Sequence, residues 1–141
     1  LFEGGRPLLL VSAEIPETIG RRIFIAWNGS TERARALSAA RPLLATCEAV
    51  QVLAVEGGLV SGPDVELITA HLRASGFKAQ AKTRDSSGTT VGQVIVSEAQ
   101  DFGADLIVKG AFTHSRLRQL VFGGATSEIF NHATCPVIMC H

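Results

Sequence analysis

The chain has 141 residues, 46% of them hydrophobic and 18% charged, with 13 basic and 13 acidic side chains. That length suits one domain that buries a core without metal or disulfide staples. The balanced charge gives no electrostatic basis for binding nucleic acid or an anionic membrane, and no apolar run approaches the length of a membrane span.

Taken in order, residues 5–14 (GRPLLLVSAE) read as a strand, and residues 21–27 (RRIFIAW) as a second, ended by NGS. Residues 31–45 carry Ala34, Leu37, Ala40 and Leu44 at helical spacing, with Asn28 or Ser30 as cap and Glu32 near the positive helix start. Pro42 predicts a kink or an end there. Residues 49–55 (AVQVLAV) form the next strand. Residues 64–76 follow as a helix stopped by Gly76, then residues 78–83 within FKAQAKTR as an edge strand. Residues 89–103 are a third helix, in which Gly92 is an unexplained weak point. Residues 106–109 within DLIVKGA read as a buried strand, residues 115–133 as mainly helix, and residues 137–140 as the last strand.

Strand alternating with helix implies an α/β fold, a doubly wound parallel sheet covered on both faces. A ligand then belongs at the carboxyl ends, at the switch point between the first and fourth core strands, where AWNGS and VKGAFTHS end. The leading strand does not fit this pattern, because residues 15–20 (IPETIG) are too few for a helical crossover. RPLLLV shares with CPVIMC a proline followed by an apolar run. Residues 1–15 are therefore expected to be the strand remnant of a preceding, similar domain, and residues 16–141 the domain itself. This strand is expected to pair with residues 137–140 of its own chain or of a second copy. The chain opens on Leu1 with no visible leader, and is expected to be cut from, or to begin inside, a longer protein.

Cys47, Cys135 and Cys140 are not a disulfide framework and predict a reducing, cytoplasmic setting. Cys135, Cys140 and His141 suggest a metal, but the two cysteines differ by an odd number along a strand and are expected on opposite faces. No metal is predicted.

Residues 109–139 (KGAFTHSRLRQLVFGGATSEIFNHATCPVIM) resemble the signature of the universal stress protein family: G-x-x-G, nine residues, G, then Ser or Thr. Residues 21–37 resemble its first strand and capped helix, and GRPLLLV resembles the end of the first domain in its two-domain members. The resemblance implies a five-stranded parallel sheet of order 3-2-1-4-5, here with an extra N-terminal strand. It also implies pairing through the last strand, as a homodimer or with a tandem domain, and an ATP site in some members. On that pattern the nucleotide-binding positions are Asn28, Val55, Gly110, Thr113, Gly123, Gly124 and Thr126. Gly110 and Gly123 match the family's glycines. Thr113 replaces the second glycine, Gly124 the hydroxyl residue, and Asn28 an Asp that contacts adenine. A β-branched Thr held at positive φ costs on the order of 1–3 kcal/mol, so the pocket is expected to be degraded and ATP or AMP weakly held or not held. Read without the resemblance, Gly123 and Gly124 let a helix pack tightly, Asn28 caps a helix, and His114, Arg116 and Arg118 are surface.

The function expected is a non-catalytic stress-response module acting through dimerisation; the alternative is an ATP-binding regulator with at most slow hydrolysis. An enzyme is not expected. No Gly-x-Ser-x-Gly elbow or Walker lysine is present, and nothing sets a nucleophile beside Glu56 or Asp85.

Overall fold

The computed structural model describes residues 6–11, 16–56, 63–86, 88–111 and 124–140. Strands β1 (Leu8–Leu10), β2 (Arg22–Trp27), β3 (Ala49–Val55), β4 (Ala79–Arg84), β5 (Leu106–Gly110) and β6 (Val137–Cys140) form one sheet of order β1-β6-β5-β2-β3-β4. All neighbours are parallel except β1 and β6, which run antiparallel. Counting from β2, the five parallel strands have the expected order 3-2-1-4-5, and the extra strand lies on the outer edge of β6.

Alternation along the strands divides the core. Ile23, Ile25, Trp27, Val50, Val52, Leu106 and Val108 face helices α1 (Thr31–Leu44) and α2 (Val65–Ala74). Phe24, Ala26, Leu53, Val55, Ile107 and Met139 face α3 (Val91–Phe102) and α4 (Gly124–His132). Strands buried on both faces read as continuous apolar runs, which is why β2, β3 and β5 stand out in the sequence. β4 is buried at Ala79 and becomes exposed toward Arg84, and it closes the sheet as an edge, as its alternating pattern predicts. Cys140 packs into the first cluster and Cys135 into the second, on opposite faces as expected.

Helix starts follow the capping residues. Ser30, Asp64 and Thr90 accept from the amides of Arg33, Leu67 and Gln93, and Thr90 with Gln93 completes a capping box. Gly103 ends α3 in the left-handed region at φ 68°. Pro42 does not end α1; the helix runs on to Leu44. At two residues from the end, the proline removes a hydrogen bond only from the final turn. Of the helix expected over residues 115–133, Gly124–His132 is described, and the remainder lies outside the described residues.

Leu9 pairs with Ile138 and Leu10 with Val137, so β1 covers the edge of β6 within the same chain. The weak point at Gly92 has a packing reason. A Cβ there would lie 2.6 Å from Glu128 Cβ and 2.8 Å from Ala125 Cα, where α3 crosses α4. Gly92→Ala gains about 1 kcal/mol of helix propensity but overpacks the crossing by about 1–3 kcal/mol. A net loss of about 0–2 kcal/mol is expected, read from the urea midpoint. The clash falls on the backbone of Ala125, so the displacement would also reach Thr126.

Candidate functional site

The carboxyl ends of β2, β3 and β5 bring several of the sequence-predicted residues to one level. Ala26 is in register with Lys109 and Trp27 with Ala54, so Asn28 emerges beside Val55 on one side and the end of β5 on the other. Asn28 and Val55 are both buried. Asn28 Oδ1 accepts from the amide of Ser30 at 3.0 Å, which holds the turn into α1 and places the Ser30 cap. The oxygen therefore faces the helix start, and the NH2 group is the part of the amide left to address a ligand.

Gly110 ends β5 directly beneath the first turn of α1. A Cβ on it would lie 2.6 Å from Arg33 Cγ and 2.7 Å from Arg33 N. Its lack of a side chain is what lets Arg33 lie over the strand end. This close approach was not evident from a glycine motif, which suggests only room for phosphate.

Thr126 is buried in the first turn of α4, and its hydroxyl accepts from Lys109 Nζ at 2.9 Å. The same ammonium donates to the Gly110 carbonyl at 2.9 Å. Lys109 thus ties β5 to α4 at the carboxyl edge while itself only 4% exposed. Burial, and then the charge of Arg33, lower Lys109 to about 7. Burial also lowers Arg33 to about 10, against the opposing pull of Glu32. Glu32 Oε2 is shut from solvent without a hydrogen-bond partner among the described residues.

The edge therefore gathers Asn28, Val55, Gly110 and Thr126, with Gly124 opening α4. Thr113 and Gly123 lie outside the described residues, as do His114, Arg116 and Arg118. Lys109 and Arg33 are not among the residues singled out from the sequence, and Glu32 is named there only for the helix start. The available signal was a lysine closing an otherwise apolar buried run, LIVKG. Chemically, two cations and an amide donor suit recognition of an anion, and the orphaned Glu32 oxygen suits a donor on the same ligand. A groove of about 480 Å³ lies beside β1 and α1, lined by Pro7, Thr31, Ala34, Arg35, Ser38, Ala39 and Cys140. It contains none of these site residues.

The sequence profile of the universal stress protein family matches residues 20–141, and the chain belongs to that family. No curated protein sequence matches the chain. Among solved structures, a universal stress protein from Archaeoglobus fulgidus DSM 4304 is 17% identical with a TM-score of 0.78, over 98% of this chain and 50% of that one. The present chain thus spans about half the length of that relative. An Archaeoglobus fulgidus universal stress protein in complex with dAMP is 22% identical with a TM-score of 0.59, over 88% of this chain and 100% of that one. A universal stress protein in complex with cAMP is 14% identical with a TM-score of 0.59, over 86% and 97% of the two chains.

Proposed function

We propose that this universal stress protein domain is a non-catalytic regulatory module that binds an adenine nucleotide weakly at the carboxyl edge and acts through a partner domain. The observation that carries the reading is the cluster of buried polar groups, Asn28, Lys109 and Thr126, at the switch point of the sheet. The three groups are hydrogen-bonded within the protein, but the Lys109 ammonium is held by neutral oxygens with no counter-ion among the described residues, and a ligand at that edge is what this fold class accommodates. The dAMP and cAMP complexes of similarly folded proteins support the ligand class. Asn28, with its oxygen committed to Ser30, offers its NH2 group to a ring nitrogen of the base.

Weak binding follows from Thr113 and Gly124 standing in the glycine signature. Isothermal titration with ATP and AMP is expected to give low affinity, and Thr113→Gly combined with Gly124→Ser is expected to tighten it. Tight ATP binding by the unaltered chain would refute the degraded pocket. Binding without phosphate release over hours would support a regulator; sustained release at a useful rate would refute it.

The partner reading rests on β1. It lies antiparallel on β6, where the last strand of a neighbouring domain would pair, and the relative matched over 98% of this chain is about twice as long. We propose that β1 stands in for such a tandem domain's strand, or exchanges between two copies. Exposed Leu9 and Val11 would then face the partner. The free thiols of Cys47, Cys135 and Cys140 suit a reducing cytoplasm, and no described helix is long and apolar enough to cross a membrane. Sedimentation of the chain with and without residues 1–11 tests the partner reading: a dimer lost on truncation supports exchange, and an unchanged assembly refutes it.

A further inference from the structure

Two cations meet at the carboxyl edge with little opposite charge around them. Lys109 donates to two neutral oxygens, the Gly110 carbonyl and the Thr126 hydroxyl. Arg33 packs over Gly110 from the α1 side, against the same residue whose carbonyl Lys109 Nζ holds at 2.9 Å. The carboxylate acting on Arg33 is that of Glu32. Among the described residues, neither cation forms an ion pair within 4.0 Å. With Lys109 protonated, the three groups sum to one net positive charge in a largely buried place.

An ammonium held between neutral oxygens is solvated but not neutralised, and a buried charge gains most from a counter-ion. The location narrows which anion. Lys109 Nζ sits at the end of β5 under the first turn of α4, whose leading amides have no acceptor within the helix. Glu32 Oε2, buried and without a donor among the described residues, can accept from a hydroxyl of the ligand.

We propose that Lys109 and Arg33 form a phosphate clamp, so that the site takes the phosphate of its ligand without a divalent cation, the ammonium supplying the charge a metal would bring. A metal ion entering beside Lys109 and Arg33 would meet two like charges, whereas a phosphate meets two opposite ones. Burial that lowers Lys109 to about 7 in the absence of an anion is reversed when a dianion arrives, because the anion favours the charged amine. The inference rests on the nucleotide reading for the nucleoside part of the ligand; for the anion it stands separately.

The test is calorimetric titration of the whole chain with inorganic phosphate, pyrophosphate, adenosine, AMP and ATP, in EDTA and in magnesium. Pyrophosphate and ATP are expected to bind in EDTA, and magnesium is expected not to strengthen them. Lys109→Met is expected to weaken every phosphate ligand by about tenfold or more and to leave adenosine unchanged. Arg33→Gln is expected to weaken the same ligands. Thermal melts of both variants establish that they are folded. The clamp is overturned if no phosphate compound binds the wild type, if binding requires magnesium, or if folded Lys109→Met binds as well as the wild type. If pyrophosphate binds while adenosine and AMP show no nucleoside contribution, the clamp stands and the nucleotide reading fails. If AMP binds wild type and Lys109→Met equally, the nucleotide reading stands and the clamp fails.

Discussion

Asp105→Ala is expected to lower the unfolding free energy by about 2–4 kcal/mol, measured from urea midpoints at neutral pH. The Asp105 carboxylate collects four donors from the segment entering β2. Oδ1 accepts from Gly20 N at 3.1 Å and Arg22 N at 2.9 Å; Oδ2 accepts from Arg21 N at 3.0 Å and Thr18 Oγ1 at 2.8 Å. Hydrogen bonds to a charged acceptor contribute more than neutral ones, but some of these amides can turn to water, which keeps the total below a simple sum. Asp105→Asn is expected to recover little, because an NH2 group would then face donors. A contrast is available nearby. Arg21 and Glu48 form an exposed ion pair, and Glu48→Ala is expected to cost at most about 0.5 kcal/mol. Asp105 immediately precedes β5, so its bonds also fix the register in which Ile23 meets Leu106. That register carries forward to the carboxyl edge and sets Asn28 against the end of β5.

The alternation of strands and helices was legible because it is written in local periodicity: two apolar runs such as RIFIAW and AVQVLAV need no partner to be recognised. The antiparallel edge strand was legible for a topological reason, since IPETIG is too short for a crossover and an apolar last strand requires a cover. The site was legible only in part. Asn28, Val55, Gly110 and Thr126 share the carboxyl edge, as the order of the sheet requires. Lys109 was overlooked because a lysine closing a strand reads as the point where the chain meets solvent; its burial depends on α4 crossing above it. Gly92 and Gly110 were opaque for the same reason. Each is a glycine because another helix lies against it, α4 in one case and α1 in the other, and neither contact is local in sequence. Asp105 reads as an ordinary turn residue until the entry to β2 is seen wrapped around it.

Lys109→Met is expected to stabilise the fold, by about 1–3 kcal/mol at pH 6, and the gain is expected to shrink as pH rises. The sign follows from the folded value being lowered. Lys109 titrates near 7 in the folded chain against an ordinary 10.5, so the burial penalty is fully present below about pH 7 and is lost as pH rises toward 10.5. The difference corresponds to a ceiling on the order of 5 kcal/mol. Two lost hydrogen bonds, to Gly110 and Thr126, offset part of it, at about 1 kcal/mol each. Cys135 acts in the opposite direction. Burial, then the charge of Asp105, raises its thiol from an ordinary 9.0 to about 11, so its contribution is present below about pH 9 and is lost as pH rises toward 11. Cys135 is common to both chains and cancels in their difference, and the interval from about pH 7 to 8.5 isolates Lys109 even in the wild type. Urea midpoints of both chains at pH 6, 7, 8 and 8.5 are the measurement. A variant less stable than the wild type at every pH, by a constant amount, would show that Lys109 is a tie between β5 and α4 and carries no burial penalty, which would remove the charge argument for the clamp. A variant that is more stable and yet has lost phosphate binding would place the lysine there for the ligand: the same uncompensated charge that weakens the empty fold is what a phosphate arriving at the edge of β5 would neutralise.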